Sequence, residues 1–124
     1  MAANKTLRFG PVALTTTLTT NILNPNVTSL AGVTGFTMTQ PYLLLRRISI
    51  VNKTAGAVTC SFWLGASGGN VAGTEVIGTG LSVGPNSIIV VPTLLRLDAA
   101  DFLVGGASAN TSLTFEAEGE IGLV

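Results

Sequence analysis

The sequence predicts an all-β protein: a single-domain antiparallel β-sandwich, jelly-roll-like, with about eight strands. Three observations predict it. Apolar and polar residues alternate with period two in most segments, whereas helical periodicity is scarce. Turn sequences rich in Gly, Pro and Asn separate these runs. The length of 124 residues suits one domain with its own core. An immunoglobulin-like sandwich and a closed barrel are the alternative arrangements of such strands.

The N-terminal region, residues 1–41, is predicted to form either a β-prone arm or the first strands of the sandwich. It is polar, carries no charge after Arg8, and shows no obvious role in a core. We therefore expect residues 2–40 to contact neighbouring molecules by adding strands to their sheet edges. On this hypothesis, a chain that lacks residues 2–20 stays folded.

Within this region, two strands and one loop are predicted. Over residues 12–19, one set of alternate positions is mainly apolar and the other is mainly threonine, which is typical of a half-buried strand. The turn sequence Asn24-Pro25-Asn26 predicts a loop over 21–32. A second strand is predicted over 33–39 and ends before Pro41, because proline cannot donate to a ladder.

The remaining residues, 42–124, are predicted to form the core of the sandwich. The strongest strand signal is Tyr42–Asn52, whose dense apolar and β-branched composition predicts burial on both faces for part of its length. A turn over 53–56 leads into a second run, 57–65, with four apolar residues on one face. Together the two runs predict an antiparallel hairpin at the centre of the fold.

The segments that follow repeat short strands and turns. The Gly-rich residues 65–75 predict a loop or an irregular edge. Asp98 is predicted to cap a single helical turn that extends to Asp101. Short strands are predicted over 75–77, 81–83, 87–91 and 94–97.

The last predicted strand, 111–123, is the most regular of all. One face is apolar and the other is polar, because side chains alternate along a strand. The apolar face carries Leu113, Phe115, Ala117, Ile121 and Leu123. The polar face carries Ser112, Thr114, Glu116, Glu118 and Glu120.

Charge is scarce and divided between the two halves of the chain. All six acidic residues lie at or after Glu75, and five of the six basic residues lie at or before Lys53, so that the formal net charge is zero. Charged residues make up 10% of the chain, against roughly a quarter in an average soluble domain. The surface is therefore neutral and polar, which favours an oligomer or a component of a larger assembly over a monomer.

Composition argues against an enzyme and against a bound cofactor or metal. The chain has no histidine, so its single cysteine, Cys60, has no base to activate it and is predicted to be a small buried side chain. No Cys/His cluster offers a zinc site, and Asp98 with Asp101 forms a mere fragment of a calcium site. The glycine-rich loops lack the pattern of a phosphate-binding loop.

The glutamates of the last strand are the most organised charged residues. Successive members lie roughly 7 Å apart on one face, which favours an ion-paired stripe over a glycosidase pair. We expect them to face basic residues across the sheet or in a neighbouring subunit. The candidate interaction residues are Arg46, Arg47, Lys53, Glu116, Glu118 and Glu120.

Nucleic acids and membranes are not expected as partners. Arg46 and Arg47 are adjacent, so they are predicted to project from opposite faces of their strand and form no basic patch. The charge-free stretch between Phe9 and Leu45 is interrupted by three prolines and many threonines, which argues against an apolar spanning helix. The N-terminal residues are not typical of a secretory signal.

Three blocks of the chain resemble a group of small proteins encoded among the structural genes of tailed bacteriophages. They are "RISIVNKTAGAVTCSFWLGASGGNVAGTE" over 47–75, "LRLDAADFLVGGASANTSLTF" over 95–115 and "EGEIGLV" over 118–124. The resemblance implies a virion component and brings no catalytic residue. Among virion components, we expect a capsid decoration protein that is trimeric and binds the major capsid protein. The alternatives are a tail or head–tail accessory protein and a glycan- or receptor-binding module.

Overall fold

In a computed structural model, which describes residues 5–24, 42–98 and 100–121, the chain forms two four-stranded antiparallel sheets packed face to face. The prediction of an all-β sandwich with about eight strands is confirmed. The strands are β1 Lys5–Ala13, β2 Asn21–Leu23, β3 Tyr42–Asn52, β4 Val58–Gly65, β5 Glu75–Val83, β6 Ser87–Asp98, β7 Phe102–Ala107 and β8 Leu113–Ile121.

The strand order is that of a jelly roll. The front sheet has the order β1-β8-β3-β6, and the back sheet has the order β2-β7-β4-β5. Most connections therefore cross from one sheet to the other, and β4 and β5 are the consecutive strands that pair directly. This interleaving of eight strands in two sheets distinguishes a jelly roll from an immunoglobulin-like sandwich.

The predicted hairpin between β3 and β4 is wrong, although both strands have the predicted bounds to within one residue. β3 pairs with β6 and β8 in the front sheet, whereas β4 pairs with β5 and β7 in the back sheet. The turn between them arches over the edge of the core. A hairpin within one sheet and an arch between two sheets both suit two apolar runs joined by a short turn. In each arrangement one face of each strand is buried.

The buried side chain of Asn52, at the end of β3, forms hydrogen bonds that stabilise this arch. Its side chain is 1% exposed. The Nδ2 group donates to the carbonyl oxygens of Gly56 at 2.8 Å and Val83 at 3.0 Å. Its Oδ1 accepts the backbone N–H of Thr54 at 2.9 Å. One buried amide therefore closes the turn and ties it to the end of β5 in the back sheet.

The core lies between the two sheets and is made from the inward faces of all eight strands. At its centre the rings of Phe62 and Phe115 meet with centroids 5.6 Å apart and planes tilted by 46°, a geometry that aromatic pairs prefer. The inward residues of β8 follow the predicted alternation, since Leu113, Phe115 and Ala117 are buried.

The N-terminal residues contribute to this core, so the expectation that they have no role there is wrong for 5–24. β1 pairs with β8 and β2 pairs with β7, which makes them first strands of the sandwich. Phe9, Leu14 and Leu23 are buried between the sheets. Of the predicted loop over 21–32, the part over 25–32 lies outside the described residues, as does the predicted strand over 33–39.

The predicted strand over 12–19 is wrong in its position. β1 begins earlier and ends at Ala13, after which the chain crosses from the front sheet to the back sheet. Leu14 donates to the carbonyl of Leu113 at 2.9 Å, whereas Thr15 accepts from Ala107 of β7 at 2.8 Å. The threonines that follow Ala13 therefore lie in this crossover and not in a paired strand.

Three further predictions about the later segments differ from the structure. The predicted strands over 75–77 and 81–83 form one continuous strand, β5. The predicted strands over 87–91 and 94–97 form one continuous strand, β6, which passes through Pro92. The predicted helical turn at Asp98 is a tight turn between β6 and β7. The Asp101 N–H donates to the Asp98 carbonyl at 2.9 Å, and the Asp98 N–H donates to the Asp101 carboxylate at 2.9 Å.

Removing residues 2–20 is expected to unfold the domain, because the deletion takes away β1 and the buried Phe9. The milder substitution Phe9→Ala is expected to lower the free energy of unfolding by about 3–5 kcal/mol, the usual effect of emptying a buried phenylalanine site. Urea denaturation followed by circular dichroism measures both. Ala13→Ser, at an exposed position of the same strand, is the control; a stable truncated domain would contradict the assignment of β1 to the core.

Candidate interaction surface

A β-bulge in β3 places Arg46 and Arg47 on the same face of the front sheet. The pairing of β3 with both neighbours shifts register between Leu45 and Arg47. Leu43 and Leu45 are buried before the shift and Ile48 is buried after it, while both arginines are exposed. The extra residue of a bulge changes which way the following side chains point. The prediction that the two arginines project to opposite faces is therefore wrong.

Three of the four arginines on this outer face bind the glutamates of β8. Arg47 Nη2 lies 2.7 Å from Glu118 Oε1, and Arg46 forms an ion pair with Glu120. These contacts confirm, for Glu118 and Glu120, the prediction that the glutamates face basic residues across the sheet. We call the three Arg–Glu contacts of this face the ion-pair ladder.

The third pair of the ladder, between Arg8 and Glu116, was not predicted from the sequence. Arg8 Nε lies 3.2 Å from Glu116 Oε1, a diagonal contact across the pairing of β1 with β8. Finding it requires knowing that β1 is the neighbour of β8, which the sequence does not indicate. Lys53 is exposed in the turn after β3, and the described residues include no ion pair with it.

The ladder sits at the surface, which limits its contribution to stability. Its arginine side chains are between 49% and 68% exposed. Exposed pairs of this kind contribute about 1 kcal/mol or less each, because water screens the charges. The ladder therefore contributes little to the free energy of folding. Its main effect is on a molecule that approaches this face, because the ladder presents both positive and negative charges to it.

At one end of the same face, Arg96, Tyr42 and Asp98 form a small cluster. The Arg96 guanidinium carbon lies 4.4 Å from the centroid of the Tyr42 ring, and its Nε lies 2.8 Å from Asp98 Oδ1. The arginine thus combines a cation–π contact with an ion pair. Arg96 and Asp98 belong to β6, whereas Tyr42 begins β3, so the cluster joins the two strands at their ends.

Strand β6 also carries a row of exposed apolar side chains. Ile88 is 63% exposed, Val90 is 51% exposed and Leu94 is 71% exposed. They alternate with the inward residues of β6 and therefore point away from the core on the outer face of the front sheet. We call these three residues the apolar row. Because β6 is one of the two edge strands of this sheet among the described residues, the row is accessible both from the face and from the side.

A cavity of about 250 Å³ lies where the crossover after β1 passes β7. Its lining residues include Thr16, Thr59, Ser61 and Ser108, and none of them is charged. Ser61 and Ser108 already accept backbone N–H groups at 2.8 and 3.0 Å. The lining is therefore neutral, and part of its hydrogen-bonding capacity is used to hold the sheet.

Cys60 is a buried member of the core, as predicted, with a side chain that is 2% exposed. Its Sγ lies 3.6 Å from the carbonyl oxygen of Leu81, to which the thiol donates. Burial raises the pKa of the Cys60 thiol from 9.0 to about 11, since desolvation disfavours the thiolate. At neutral pH the residue is a protonated hydrophobe.

Alkylation of Cys60 by iodoacetamide is expected to be slow at pH 8 and to accelerate once the protein is unfolded in urea. The thiol retains its proton longer in the folded state than in the unfolded state. Its contribution to the free energy of unfolding is therefore present below pH 9.0 and declines as the pH rises towards about 11. Mass spectrometry of timed samples measures the reaction; rapid alkylation of the folded protein would contradict the burial of this thiol.

Neither a metal-ligand cluster nor a membrane-spanning helix occurs in the described part of the chain. Within 5–24, 42–98 and 100–121 there is no group of three or more His, Cys, Asp or Glu side chains able to hold a metal ion. The same residues include no helix long and apolar enough to cross a membrane.

Comparison of the chain with protein-family models finds no match, and comparisons with curated proteins and with solved structures find none either. The surface of the sandwich is therefore the remaining guide to the function of this protein. Its most distinctive features are the ion-pair ladder and the apolar row, both on the outer face of the front sheet.

Proposed function

We propose that this protein is a non-enzymatic structural component of a bacteriophage virion, a capsid decoration protein that forms a homotrimer and binds the lattice of the major capsid protein. The observation that carries the proposal is the apolar row on the edge strand β6. Soluble monomers seldom display adjacent large apolar side chains on a sheet edge, and such surfaces usually mark a contact with another protein.

The fold and the sequence support the same function. Jelly rolls occur in viral capsid proteins, and three blocks of this chain resemble structural proteins of tailed bacteriophages. A fold alone does not define a function, so the surface carries the argument. Low net charge suits a protein that packs at high density beside copies of itself, because neighbouring copies do not repel each other.

The ion-pair ladder supports contact with a second protein surface. Its arginines and glutamates offer alternating charges that a partner can approach with complementary charges, which fixes orientation more than it raises affinity. In a lattice the same weak contact recurs many times, so that modest pairs contribute to a stable coat. On this proposal, the ladder faces the capsid, and the apolar row joins the copies.

A glycan- or receptor-binding module is less well supported by the described aromatic residues. Sugar binding commonly uses an exposed aromatic face, but Trp63 is 8% exposed and Phe9, Phe62 and Phe115 are buried. The ring of Tyr42 lies beneath Arg96. A tail or head–tail accessory protein uses the same kind of surface, and the position in the particle distinguishes it from a decoration protein.

Quantitative mass spectrometry of purified virions tests the proposal. A decoration protein is expected at a fixed stoichiometric ratio to the major capsid protein, and the recombinant protein is expected to sediment with capsids that lack it. A few copies per particle, located on isolated tails, would instead indicate a tail accessory protein. Absence from the particle, together with binding on a glycan array, would overturn the structural role.

Exchanging Glu116, Glu118 and Glu120 together for glutamine is expected to leave the fold intact and to weaken capsid binding most strongly at low salt. Each exposed pair contributes at most about 1 kcal/mol to folding, but the substitution leaves three arginines unneutralised at the proposed contact. Cosedimentation with capsids across a salt series measures the effect. Glu75→Gln, at an exposed carboxylate outside the ladder, is the control, and equal binding of both variants at every salt concentration would contradict the proposal.

A further inference from the structure

Two buried apolar side chains lie outside the core, on the outer face of the back sheet. Trp63 is 8% exposed and Val104 is 0% exposed, but neither belongs to the cluster of core residues between the sheets. They pair directly across β4 and β7. Phe62 and Leu103, which precede them, point into the core, so Trp63 and Val104 point the other way. Another part of the chain must therefore shield this pair from water.

The loop between β4 and β5, residues 66–74, supplies the cover, and we call it the strap. It starts at the end of β4, but its tip is bound to β2, which lies beyond β7 in the back sheet. The Gly68 N–H donates to Asn21 Oδ1 at 2.7 Å, and Asn21 Nδ2 donates to Ser67 Oγ at 2.9 Å. Because Ile22 points into the core, Asn21 points outward, and the strap crosses the outer face of β7 to reach it.

The strap is attached at both ends of the row that contains the covered pair. Directly paired residues form this row across the back sheet, in the order Asn21, Val104, Trp63 and Glu75. Asn21 binds the tip of the strap. At the other end of the row, the Glu75 carboxylate accepts the N–H of Gly73 at 2.7 and 3.0 Å. The strap therefore runs above the two apolar side chains in the middle of the row.

The strap covers this pair without burying side chains of its own. None of residues 66–74 is buried, and the largest apolar side chain among them, Val71, is 65% exposed. A segment with few buried apolar contacts opens at a small fraction of the free energy of global unfolding. Opening of the strap exposes the indole of Trp63 while the strands of both sheets stay paired.

The cavity of about 250 Å³ adjoins the covered pair on the same face. Two of its lining residues, Ser61 and Gly106, lie two positions from Trp63 and Val104 along β4 and β7. Residues two apart on a strand share a face and are separated by about 7 Å. An open strap therefore extends the cavity by an aromatic wall.

The groups around the enlarged site suit a neutral saccharide. None of the cavity's lining residues is charged, so the lining offers no ion pair to an anionic ligand. Ser61 and Ser108 already accept backbone N–H groups, and each hydroxyl keeps its own O–H to donate to a ligand oxygen. The indole of Trp63 adds a flat apolar surface. Hydroxyl groups on an apolar ring complement this combination.

We propose that the outer face of the back sheet binds a neutral saccharide, and that the strap is a cover that opens to admit it. The sugar ring stacks on Trp63, and its oxygens accept hydrogen bonds from Ser61 and Ser108. Its hydroxyl groups also bind the amide of Asn21, which Ser67 of the closed strap occupies, so strap and ligand compete. The closed strap explains why Trp63 offers no exposed face. The site lies on the sheet opposite the ion-pair ladder and does not depend on the proposed place in the virion.

Replacing residues 65–73 with Asn-Gly tests the cover. Leu64 and Thr74 are already hydrogen-bonded at 3.0 Å, so a two-residue hairpin turn can join them. Trp63 is the single tryptophan of the chain; its emission is expected to shift to longer wavelength and to lose protection from acrylamide. Asn70→Ala, at an exposed position of the strap, is the control, and circular dichroism checks folding. A protected Trp63 in the folded strapless variant would overturn the strap as its cover.

A glycan array that carries neutral and sialylated saccharides tests the ligand, and calorimetry with the saccharide that binds best measures affinity. The strapless variant is expected to bind about tenfold more tightly than the wild-type protein, the gain from removing a strap that is open in about a tenth of the molecules. In the strapless variant, Ser108→Ala is expected to weaken binding about fivefold through the lost hydrogen bond. Ser87→Ala, at an exposed serine of β6, is the control.

Each contrary outcome removes a defined part of this inference. Binding of sialylated saccharides alone, or of none, would overturn the ligand class. Equal affinity of the wild-type and strapless proteins would overturn the competition by the strap, and binding that Ser108→Ala leaves unchanged would place the saccharide elsewhere. Tighter cosedimentation of the strapless variant with capsids, without saccharide binding, would identify this face as a protein contact. The copy number in virions, which tests the proposed function, is independent of all these results.

Discussion

Replacing Asn52 with aspartate is expected to lower the free energy of unfolding by about 4 kcal/mol, enough to unfold a marginal domain. The asparagine Nδ2 donates to the carbonyls of Gly56 and Val83. A carboxylate has no donor for these oxygens, so two buried acceptors lose their partners and face a negative charge instead. Since the side chain is 1% exposed, water cannot replace the lost bonds.

Urea denaturation at pH 7 measures this effect. Asn70→Asp, the same chemical change at an exposed position in the loop between β4 and β5, is the control and is expected to change stability by less than about 0.5 kcal/mol. If the Asn52 and Asn70 variants unfold at the same urea concentration, the buried amide does not hold the arch between the sheets. A loss for Asn52→Asp alone would support the role of this arch in joining β3 to β4 and β5.

Gly119→Ala is expected to lower the free energy of unfolding by about 3 kcal/mol or more. Gly119 lies in β8 beside the bulge of β3 and pairs with Leu45. A Cβ at this position would overlap the carbonyl oxygen of Leu44 and lie 2.9 Å from the Cα of Leu45. Because both neighbours are backbone atoms within a paired strand, relief requires the strands to separate.

Thermal denaturation followed by circular dichroism measures the change, and Gly56→Ala provides the control. A Cβ at Gly56 would meet nothing within 4 Å, so that variant is expected to retain stability. If Gly119→Ala unfolds at the same temperature as the wild-type protein, the bulge relaxes with little loss of free energy, which would contradict this prediction. Misplacement of the strands at the bulge is also expected to weaken the neighbouring contacts of Arg46 with Glu120 and of Arg47 with Glu118.

Local features of the fold were predictable from the sequence, whereas the partners of each strand were not. β3 has the predicted bounds, Tyr42–Asn52, because its apolar composition and the turn residues on either side are local signals. Its pairing with β6 and β8 depends on residues far along the chain. A short turn between two apolar runs predicts a hairpin on local grounds, whereas the hydrogen bond from buried Asn52 to Val83, which ties the arch to β5, depends on a residue far along the chain.

The candidate interaction surface was predictable only in part, because some of its contacts depend on which strands are neighbours. The glutamate face of β8 follows directly from strict alternation, and two of its partners, Arg46 and Arg47, were expected. The sequence does contain a signal for the bulge, since the apolar positions change from Leu43 and Leu45 to Ile48 and Ile50. That change of phase, with two charged residues between, shows that both arginines point outward. Arg8 had no such signal, because its contact exists only once β1 lies beside β8.

The position of β8 in the front sheet has a consequence for synthesis of the protein. β8 lies between β1 and β3 and pairs with both. The ribosome makes β8 after the other seven described strands, so β1 and β3 lack their shared neighbour until β8 has emerged. Such non-local pairing slows folding and leaves strand edges open to other chains. Nascent copies made side by side therefore run a higher risk of misassembly than finished ones, and chaperone contact is most useful before β8 has emerged.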